Sequence, residues 1–313
     1  MDFNTISLLF FGLIVLIIGG NLLLKASVSI SLKFGIPKLL IGMTVVSLAT
    51  SAPELIVSIK SALKGSPDLA ISNVLGSNIA NLGLVLAITI LFSPINISKS
   101  IYRKEWPIMM FSSLYFLFVI LDGVITRIEG GVLVCLLIIT LSVLIKFRDK
   151  SEIELELDFE KKGSIIKSLI ILILGGIFLF YGSEWFVDGA ISLANSFGIS
   201  ERIIGITVVS VGTSIPELVT SLVAVLNKEK SISLGNLLGS NIFNVFAVLG
   251  FTSFVTPIYI IDQNIISFDI YIMIFFAAIV LPLIFFPKKN ILGRKEGLII
   301  LVFYSLYLVN LFQ

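Results

Sequence analysis

The sequence contains no histidine and only one cysteine, Cys135, among its 313 residues. Without histidine the chain cannot form a His-ligated zinc or haem site, or a catalytic dyad or triad that uses an imidazole. A single cysteine excludes an intrachain disulfide. Charged residues are scarce as well, at 13% of the chain, which is about half of their share in an average soluble domain. These absences exclude a disulfide-stabilised secreted domain and a nucleic-acid binder.

Hydrophobic residues make up 57% of the chain, and the mean hydropathy is +1.09. A globular protein of this size cannot bury so much apolar surface in one core, so the excess must face lipid. This excludes a soluble enzyme. Stretches near the length of about 20 apolar residues that crosses a bilayer recur along the chain. The sequence predicts an all-α integral membrane protein with ten transmembrane helices, over residues 4–24, 37–60, 69–92, 107–121, 129–146, 164–187, 200–226, 232–256, 265–286 and 296–312.

The distribution of lysine and arginine predicts the orientation of these spans. Cytoplasmic loops of membrane proteins carry an excess of basic residues. If the N-terminus lies outside, 18 of the 22 basic residues fall on the cytoplasmic side, and only Lys60, Lys64, Arg127 and Arg202 fall outside. We therefore predict a multi-pass protein of the cell membrane with both termini extracellular.

The longest hydrophilic stretch is formed by residues 148–163, between the fifth and sixth spans. Acidic and apolar residues alternate over residues 152–160. We interpret the stretch as a cytoplasmic acidic linker that joins two halves, because it is too short for a folded regulatory domain. A small cation sensor or a docking strand is the alternative interpretation.

An internal repeat is the strongest pattern in the sequence. Residues 42–86 recur as residues 205–249, at an offset of 163, with 21 of 45 positions identical and no gap. The identical positions include Thr, Ser, Pro, Glu and Asn, which shared lipid-facing composition would not align. Each half, residues 1–147 and 164–313, contains five predicted spans, so the second half enters the membrane from the opposite side. This predicts two inverted five-helix repeats, an architecture in which transporters place a substrate site near the membrane midplane.

Two acidic residues, Glu54 and Glu217, fall deep inside apolar spans and are equivalent in the repeat. An ionised carboxylate at membrane depth costs at least about 2.5 kcal/mol unless it is paired or hydrated. No lysine or arginine lies at comparable depth in the sequence. We therefore expect cations or protons to supply the missing positive charge.

Serine, threonine and asparagine form polar stripes beside both glutamates. Spacings of three and four residues put one set on the helix face of each glutamate, and Asn73, Ser77 and Asn81 step by four on the next span. Pro53 and Pro216 lack an N–H and break their helices, which frees the carbonyl groups four residues earlier. The donors are all oxygens, a set that suits hard cations such as Ca²⁺ and Na⁺.

These motifs resemble the two alpha-repeats of the cation/Ca²⁺ antiporter superfamily. The T-S-x-P-E pattern at residues 50–54 and 213–217 is similar to that of its Na⁺/Ca²⁺ exchanger branch. The resemblance implies alternating access, in which the first span of each half slides across an ion-binding core. It also implies that Glu54 and Glu217 bind Ca²⁺ together with the carbonyl groups of Thr50 and Thr213. The residues that it implies for flanking Na⁺ sites are Ala49, Ser51, Ser77, Gly212, Ser214 and Ser240.

Asn81 and Asn244 are equivalent residues of the same predicted core. Archaeal members of this branch often carry an aspartate at the position of Asn244, so this core has two acids rather than three. We predict an electrogenic Na⁺/Ca²⁺ antiporter that is not an enzyme. Its predicted partners are Ca²⁺, Na⁺ and the bilayer, with no organic cofactor, no nucleic acid and no required protein partner.

Other functions stay open to different degrees. A Ca²⁺/H⁺ or K⁺-dependent antiporter would use the same carboxylates with a different counter-ion. A cation channel would conduct without a counter-ion, although repeat inversion argues against it. An intramembrane hydrolase is disfavoured, because the sequence has neither a histidine nor a mid-span aspartate to build its active site.

Overall fold

The computed structural model describes residues 3–146, 164–196 and 210–311. The predicted linker at residues 148–163 lies outside the described residues, as does the beginning of the stretch predicted over residues 200–226.

Each predicted apolar stretch coincides with helix where the structure describes it. The α-helices are α1 Phe3–Phe34, α2 Lys38–Ile41, α3 Ser47–Thr50, α4 Ala52–Leu63, α5 Pro67–Ala80, α6 Ala87–Phe92, α7 Trp106–Ile120, α8 Arg127–Lys146, α9 Ile165–Ser196, α10 Ser210–Thr213, α11 Ile215–Leu226, α12 Lys230–Phe243, α13 Gly250–Val255, α14 Ile270–Phe285 and α15 Arg294–Leu311.

Short π-helical segments and two-residue strands complete the described structure. The π segments are Gly42–Val46, Asn81–Leu86, Ile101–Glu105, Asn244–Leu249 and Ile265–Asp269, and the strands are β1 Ile95–Asn96, β2 Val124–Ile125, β3 Ile258–Tyr259 and β4 Ile291–Leu292. Most π segments join two α-helices into one longer rod, so that α5 and α6, for example, form a continuous helix over Pro67–Phe92.

The chain is a membrane protein, because its helices include several that are long and apolar enough to cross a bilayer. Among the described residues, six helices are long and apolar enough to cross a membrane, and a seventh span is counted if the bent pair Lys38–Thr50 and Ala52–Leu63 is one crossing. The helical membrane fold predicted from the sequence is confirmed, whereas the count of ten spans stays a prediction.

The described residues form two compact units. Unit 1 contains residues 3–50, 164–196 and 210–236, and unit 2 contains residues 51–146 and 237–311. Each unit therefore takes helices from both halves of the repeat. The sequence repeats are residues 1–147 and 164–313, and they do not coincide with these two units. That each repeat is a separate domain therefore stays a prediction.

In unit 1, the first helices of the two repeats pack against each other through glycines. A Cβ atom added to Gly12 would lie 2.7 Å from the backbone nitrogen of Phe186, and one added to Gly19 would lie 2.8 Å from that of Leu179. Gly12 lies beside Gly182, and Gly19 lies beside Gly175. Because residue numbers rise along one helix as they fall along the other, the repeat-equivalent helices α1 and α9 are antiparallel.

In unit 2, two antiparallel ribbons join the repeats. In the first ribbon, β1 pairs with β4, and in the second, β2 pairs with β3. The continuous helix of residues 101–120 leads from the first ribbon to the second, and a helix of about 20 residues is about 30 Å long, the thickness of the hydrocarbon core. Its repeat equivalent, Ile265–Phe285, leads from the second ribbon back to the first. Equivalent helices therefore run in opposite directions, which confirms the predicted inversion.

The backbone contact at Gly19 generates a stability prediction. We expect Gly19→Ala to lower the unfolding temperature in detergent, because its methyl group would push α1 away from α9, and overpacking of this kind costs about 1–3 kcal/mol. Gly76→Ala is the matched control: a Cβ at Gly76 meets no described atom within 4 Å, and alanine favours helix. Equal unfolding temperatures for Gly19→Ala and the wild type would contradict the close contact.

Candidate functional site

Both T-S-x-P-E motifs break their helices, as the prolines predict. α3 ends at Thr50 and α4 begins at Ala52, with Ser51 between them at φ −84° and ψ 4°. Ser214 takes nearly the same conformation, at φ −91° and ψ 4°, between α10 and α11. Each break therefore starts a new helix one residue before its proline.

The two glutamates occupy the first turns of these new helices. Glu54 lies in the first turn of α4 and Glu217 in the first turn of α11, and each side chain is completely buried. The N-terminus of a helix carries a partial positive charge that favours a carboxylate. Glu54 belongs to unit 2 and Glu217 to unit 1, so each unit holds one buried carboxylate at a helix N-terminus.

In unit 1, Asn236 connects the end of α3 with α11. The Thr50 hydroxyl donates to Asn236 Oδ1 over 3.1 Å, and the Ser47 hydroxyl donates to the Asn236 carbonyl over 3.0 Å. Asn236 Nδ2 in turn donates to Ser221 Oγ over 3.3 Å. Ser221 lies one helical turn beyond Glu217, so one buried amide holds the residue before the first break and the helix that carries the second carboxylate.

A glycine contact brings Asn236 to this position. A Cβ added to Gly42 would collide with the Ile232 carbonyl oxygen, and one added to Gly235 would collide with the Leu39 carbonyl oxygen. Only glycine lets the two backbones approach so closely. The repeat makes Asn236 the equivalent of Asn73 in the predicted polar stripe. This contact was not predictable from the stripe, because it depends on the packing of the two glycines.

The carbonyl freed by Pro216 has a partner in unit 1. Ser183 of α9 donates its hydroxyl to the Gly212 carbonyl oxygen over 2.9 Å. A carbonyl oxygen has two lone pairs, so one remains for a cation. Ser214 Oγ is buried and has no hydrogen-bond partner among the described residues. Ser183 was missed by the sequence analysis, because no repeated motif marks it.

In unit 2, Asn73 is the repeat equivalent of Asn236 and also donates to the serine that lies one helical turn beyond the glutamate. Its Nδ2 donates to the backbone carbonyl of Glu54 over 3.2 Å and to Ser58 Oγ over 2.9 Å. Ser58 Oγ donates onward to the Ala70 carbonyl over 3.2 Å. These bonds fix the first turn of α4 against α5 and orient the backbone that carries the Glu54 carboxylate.

The predicted core residues Asn81 and Asn244 each open a π segment of unit 2. Asn244 Nδ2 donates to Asn78 Oδ1 over 3.1 Å, and Asn78 Nδ2 donates to the Asn241 carbonyl over 3.3 Å. Among the described residues, Asn244 Oδ1 and both polar atoms of Asn81 are buried without a hydrogen-bond partner. Helix α4 packs against the π segment that begins at Asn244. Such segments are frequent at functional sites, because they turn side chains and carbonyls out of the helical register.

The predicted ligands divide equally between the two units. Unit 1 contains Ala49, Thr50, Gly212, Thr213, Ser214 and Glu217, and unit 2 contains Ser51, Glu54, Ser77, Asn81, Ser240 and Asn244. Within unit 2 all six are buried, and Ser51 Oγ has no hydrogen-bond partner among the described residues. Within unit 1, Ala49 and Thr213 are half-buried and the other four are buried. The amides Asn78 and Asn241 were missed as candidates, although each follows a predicted serine ligand in the G-S-N sequence that recurs at residues 76–78 and 239–241.

The chemistry of both units is that of oxygen donors. Each combines one carboxylate with hydroxyl, amide and carbonyl oxygens, and the described residues contain no group of three Asp, Glu, His or Cys side chains that could hold a metal ion. A donor set with one charge and several neutral oxygens binds hard cations and releases them more readily than a cluster of acids does. This is suited to a transported ion.

Comparisons with known proteins agree with this chemistry. The family described as sodium/calcium exchanger protein matches residues 4–146 and 167–313. The sodium/calcium exchanger MaX1 of Methanosarcina acetivorans is 30% identical over 97% of each chain. The inner membrane protein YrbG of Escherichia coli is 33% identical over 98% of this chain and 96% of its own. A solved structure of the sodium-calcium exchanger NCX_Mj, soaked with Na⁺ and Ca²⁺, superposes with a TM-score of 0.84 at 29% identity, over 99% of both chains.

The family match covers both repeats, and the structural match extends over nearly the whole chain. Family and fold are those of a transporter rather than an enzyme, and the transported ions need no organic cofactor. The chain therefore belongs to the sodium/calcium exchanger family of cation antiporters.

Proposed function

We propose that the protein exchanges Na⁺ for Ca²⁺ by alternating access and extrudes Ca²⁺ with net movement of charge. The observation that carries this proposal is a pair of fully buried carboxylates, Glu54 and Glu217, each in the first turn of a broken helix. Two carboxylates carry a charge of −2 when ionised. One Ca²⁺ neutralises this charge, and so do two monovalent cations, which lets the two kinds of ion compete for the same acids.

In this proposal Glu54 and Glu217 bind Ca²⁺ with the carbonyl groups of Thr50 and Thr213. The buried hydroxyls of Ser51 and the equivalent Ser214 serve Na⁺, with support from their lack of a hydrogen-bond partner among the described residues. The further Na⁺ ligands are those that the family resemblance implies: Ala49, Ser77, Gly212 and Ser240. Asn81 and Asn244 contribute neutral amide oxygens to the core.

The proposed location is the cell membrane, with both termini outside and residues 148–163 in the cytoplasm. Support comes from unit 2, where the basic residues segregate by ribbon. The chain around the first ribbon, residues 93–105 and 286–296, contains seven basic residues, whereas residues 121–129 and 256–264 around the second contain one. Under the positive-inside rule the first ribbon is cytoplasmic.

The carboxylates generate the first functional prediction. We expect Glu54→Gln and Glu217→Gln each to lower Ca²⁺ uptake into Na⁺-loaded proteoliposomes by about tenfold or more, the effect of at least 1.4 kcal/mol of lost ion binding. The matched control is Glu129→Gln, which neutralises a half-buried carboxylate outside the predicted ligand set that caps α8 through Thr126. If both single variants are folded and take up Ca²⁺ as fast as the wild type, these glutamates are excluded as ligands.

The counter-ion separates the leading proposal from a Ca²⁺/H⁺ or K⁺-dependent antiporter, which the amide at Asn244 keeps open. We expect an outward Na⁺ gradient to drive Ca²⁺ uptake when a protonophore has collapsed the pH gradient and K⁺ is absent. The reversal potential of the exchange current then gives the number of Na⁺ ions per Ca²⁺. Uptake that follows the pH gradient and ignores Na⁺ would instead identify H⁺ as the counter-ion.

Asn244 generates a prediction about pH. In the wild type its Nδ2 donates to Asn78 Oδ1 and its own Oδ1 has no described partner. Asn244→Asp retains an oxygen at that place but introduces a group that gains or loses a proton. We expect the variant to keep exchange but to change its pH dependence, measured as initial rates of Ca²⁺ uptake across a pH series for the variant and the wild type. Superimposable pH profiles would show that the position does not contact the ions.

A further inference from the structure

Three segments of unit 2 meet at the first ribbon. Beyond the pairing of β1 with β4, Ile97 N donates to the Asn290 carbonyl over 2.9 Å, and Arg294 Nε donates to the Leu91 carbonyl over 3.1 Å. The rings of Tyr102 and Phe285 pack edge to face with centroids 5.1 Å apart. The end of α6, the π segment before α7 and the loop between α14 and α15 are thereby held as one surface.

This surface is strongly basic. Its seven basic side chains are all exposed; we call them the ribbon patch, which consists of Lys99, Arg103, Lys104, Lys288, Lys289, Arg294 and Lys295. The two acidic residues of the same segments, Glu105 and Glu296, are buried. Glu105 Oε1 accepts from the Ser100 hydroxyl over 2.7 Å, and Glu296 Oε2 accepts from Gly293 N over 2.8 Å.

The second ribbon, at the other end of the same helices, shows that this charge is not a general property of the helix ends. Its segments, residues 121–129 and 256–264, contain Arg127 together with Asp122, Glu129 and Asp262. Asp68 adds a fourth acid there, since it accepts hydrogen bonds from the backbone nitrogens of residues 261 and 262. With Lys60 and Lys64, which precede Asp68 at the same end, the second end carries three basic and four acidic residues, so a strong excess of positive charge is found at the first ribbon and not at the second.

Large apolar side chains border the ribbon patch. Phe286 is 76% exposed and Phe92 is 63% exposed, next to Phe285 and the half-buried Tyr102. Tyrosine is enriched at the headgroup level of membranes, and exposed phenylalanines beside it offer apolar surface to an acyl chain. A ligand that matches both features needs an anionic head and an apolar chain. A soluble anion would use only the cations, and a nucleic acid would leave the exposed phenylalanines unmatched.

We propose that the ribbon patch is a binding site for anionic phospholipids, with the headgroup phosphate held by its lysines and arginines and the acyl chains against Phe92 and Phe286. Basic clusters directly beside membrane helices attract anionic lipid through the charge of each Lys or Arg near the surface. The site is separate from the buried carboxylates, and its existence does not depend on which ions the protein exchanges.

The test uses the full chain in detergent micelles with fluorescent phosphatidylglycerol or phosphatidylcholine as the probe. We expect the wild type to bind phosphatidylglycerol at least about fivefold more tightly, the effect of roughly 1 kcal/mol, and this preference to shrink as salt screens the patch. The triple variant Lys99→Gln, Lys288→Gln, Lys289→Gln removes exposed cations and should lose most of the preference. The matched control, Lys60→Gln, Lys64→Gln, Arg127→Gln, removes three cations at the other end and should keep it.

Several results would overturn the proposal. Equal loss of preference in the two triple variants would show that net charge, and not the ribbon patch, attracts the lipid. Displacement of the lipid by millimolar inorganic phosphate would identify a small-anion site. The wild type could also bind both lipids equally and prefer phosphatidylglycerol only after the acids of residues 152–160 are replaced by glutamine. That result would show that this acidic segment, and not a lipid, occupies the ribbon patch. Because lipid binding is measured without transport, none of these results bears on ion exchange.

Discussion

Burying a carboxylate at membrane depth is the constraint on which the rest of this structure depends. Glu54 and Glu217 are completely buried, and an ionised group in such a place needs compensation of several kcal/mol. The chain supplies part of it locally, because each glutamate stands in the first turn of a helix whose N-terminal N–H groups face it. The helix breaks at Ser51 and Ser214 create those N-termini inside the protein. Under the proposed function, a bound cation would supply the rest.

The supporting hydrogen bonds repeat with the sequence. Asn73 and Asn236 are equivalent residues, and each donates its side-chain amide to the equivalent serine of the helix that carries a buried glutamate, Ser58 in unit 2 and Ser221 in unit 1. The bond from Asn73 to the Glu54 carbonyl adds support in unit 2, and the bond from the Thr50 hydroxyl to Asn236 adds support in unit 1. One sequence pattern therefore builds the same amide–hydroxyl contact one helical turn beyond each buried carboxylate.

The sequence predicted those features that depend on local chemistry or on the repeat. Pro53 and Pro216 located the helix breaks, and the odd number of spans in each half predicted the inversion that the ribbons of unit 2 and the antiparallel α1 and α9 display. The π segments, the ribbons and the hydrogen bond from Ser183 to Gly212 were not predictable in this way. They depend on which backbone groups tertiary packing leaves unpaired, and no residue type marks them. The predicted count of ten spans and the predicted ion ligands remain predictions.

The amides at Asn81 and Asn244 limit the charge of unit 2. An aspartate at either position would add an ionisable group to the buried polar side chains there. Asn244 instead donates to Asn78 and retains one neutral oxygen. Among the six predicted ligands of unit 2, Glu54 is therefore the one acid, as Glu217 is among the six of unit 1. Under the proposed function the cations would compete for these two carboxylates, and every other predicted ligand would offer a neutral oxygen, which favours release of the ion over permanent binding.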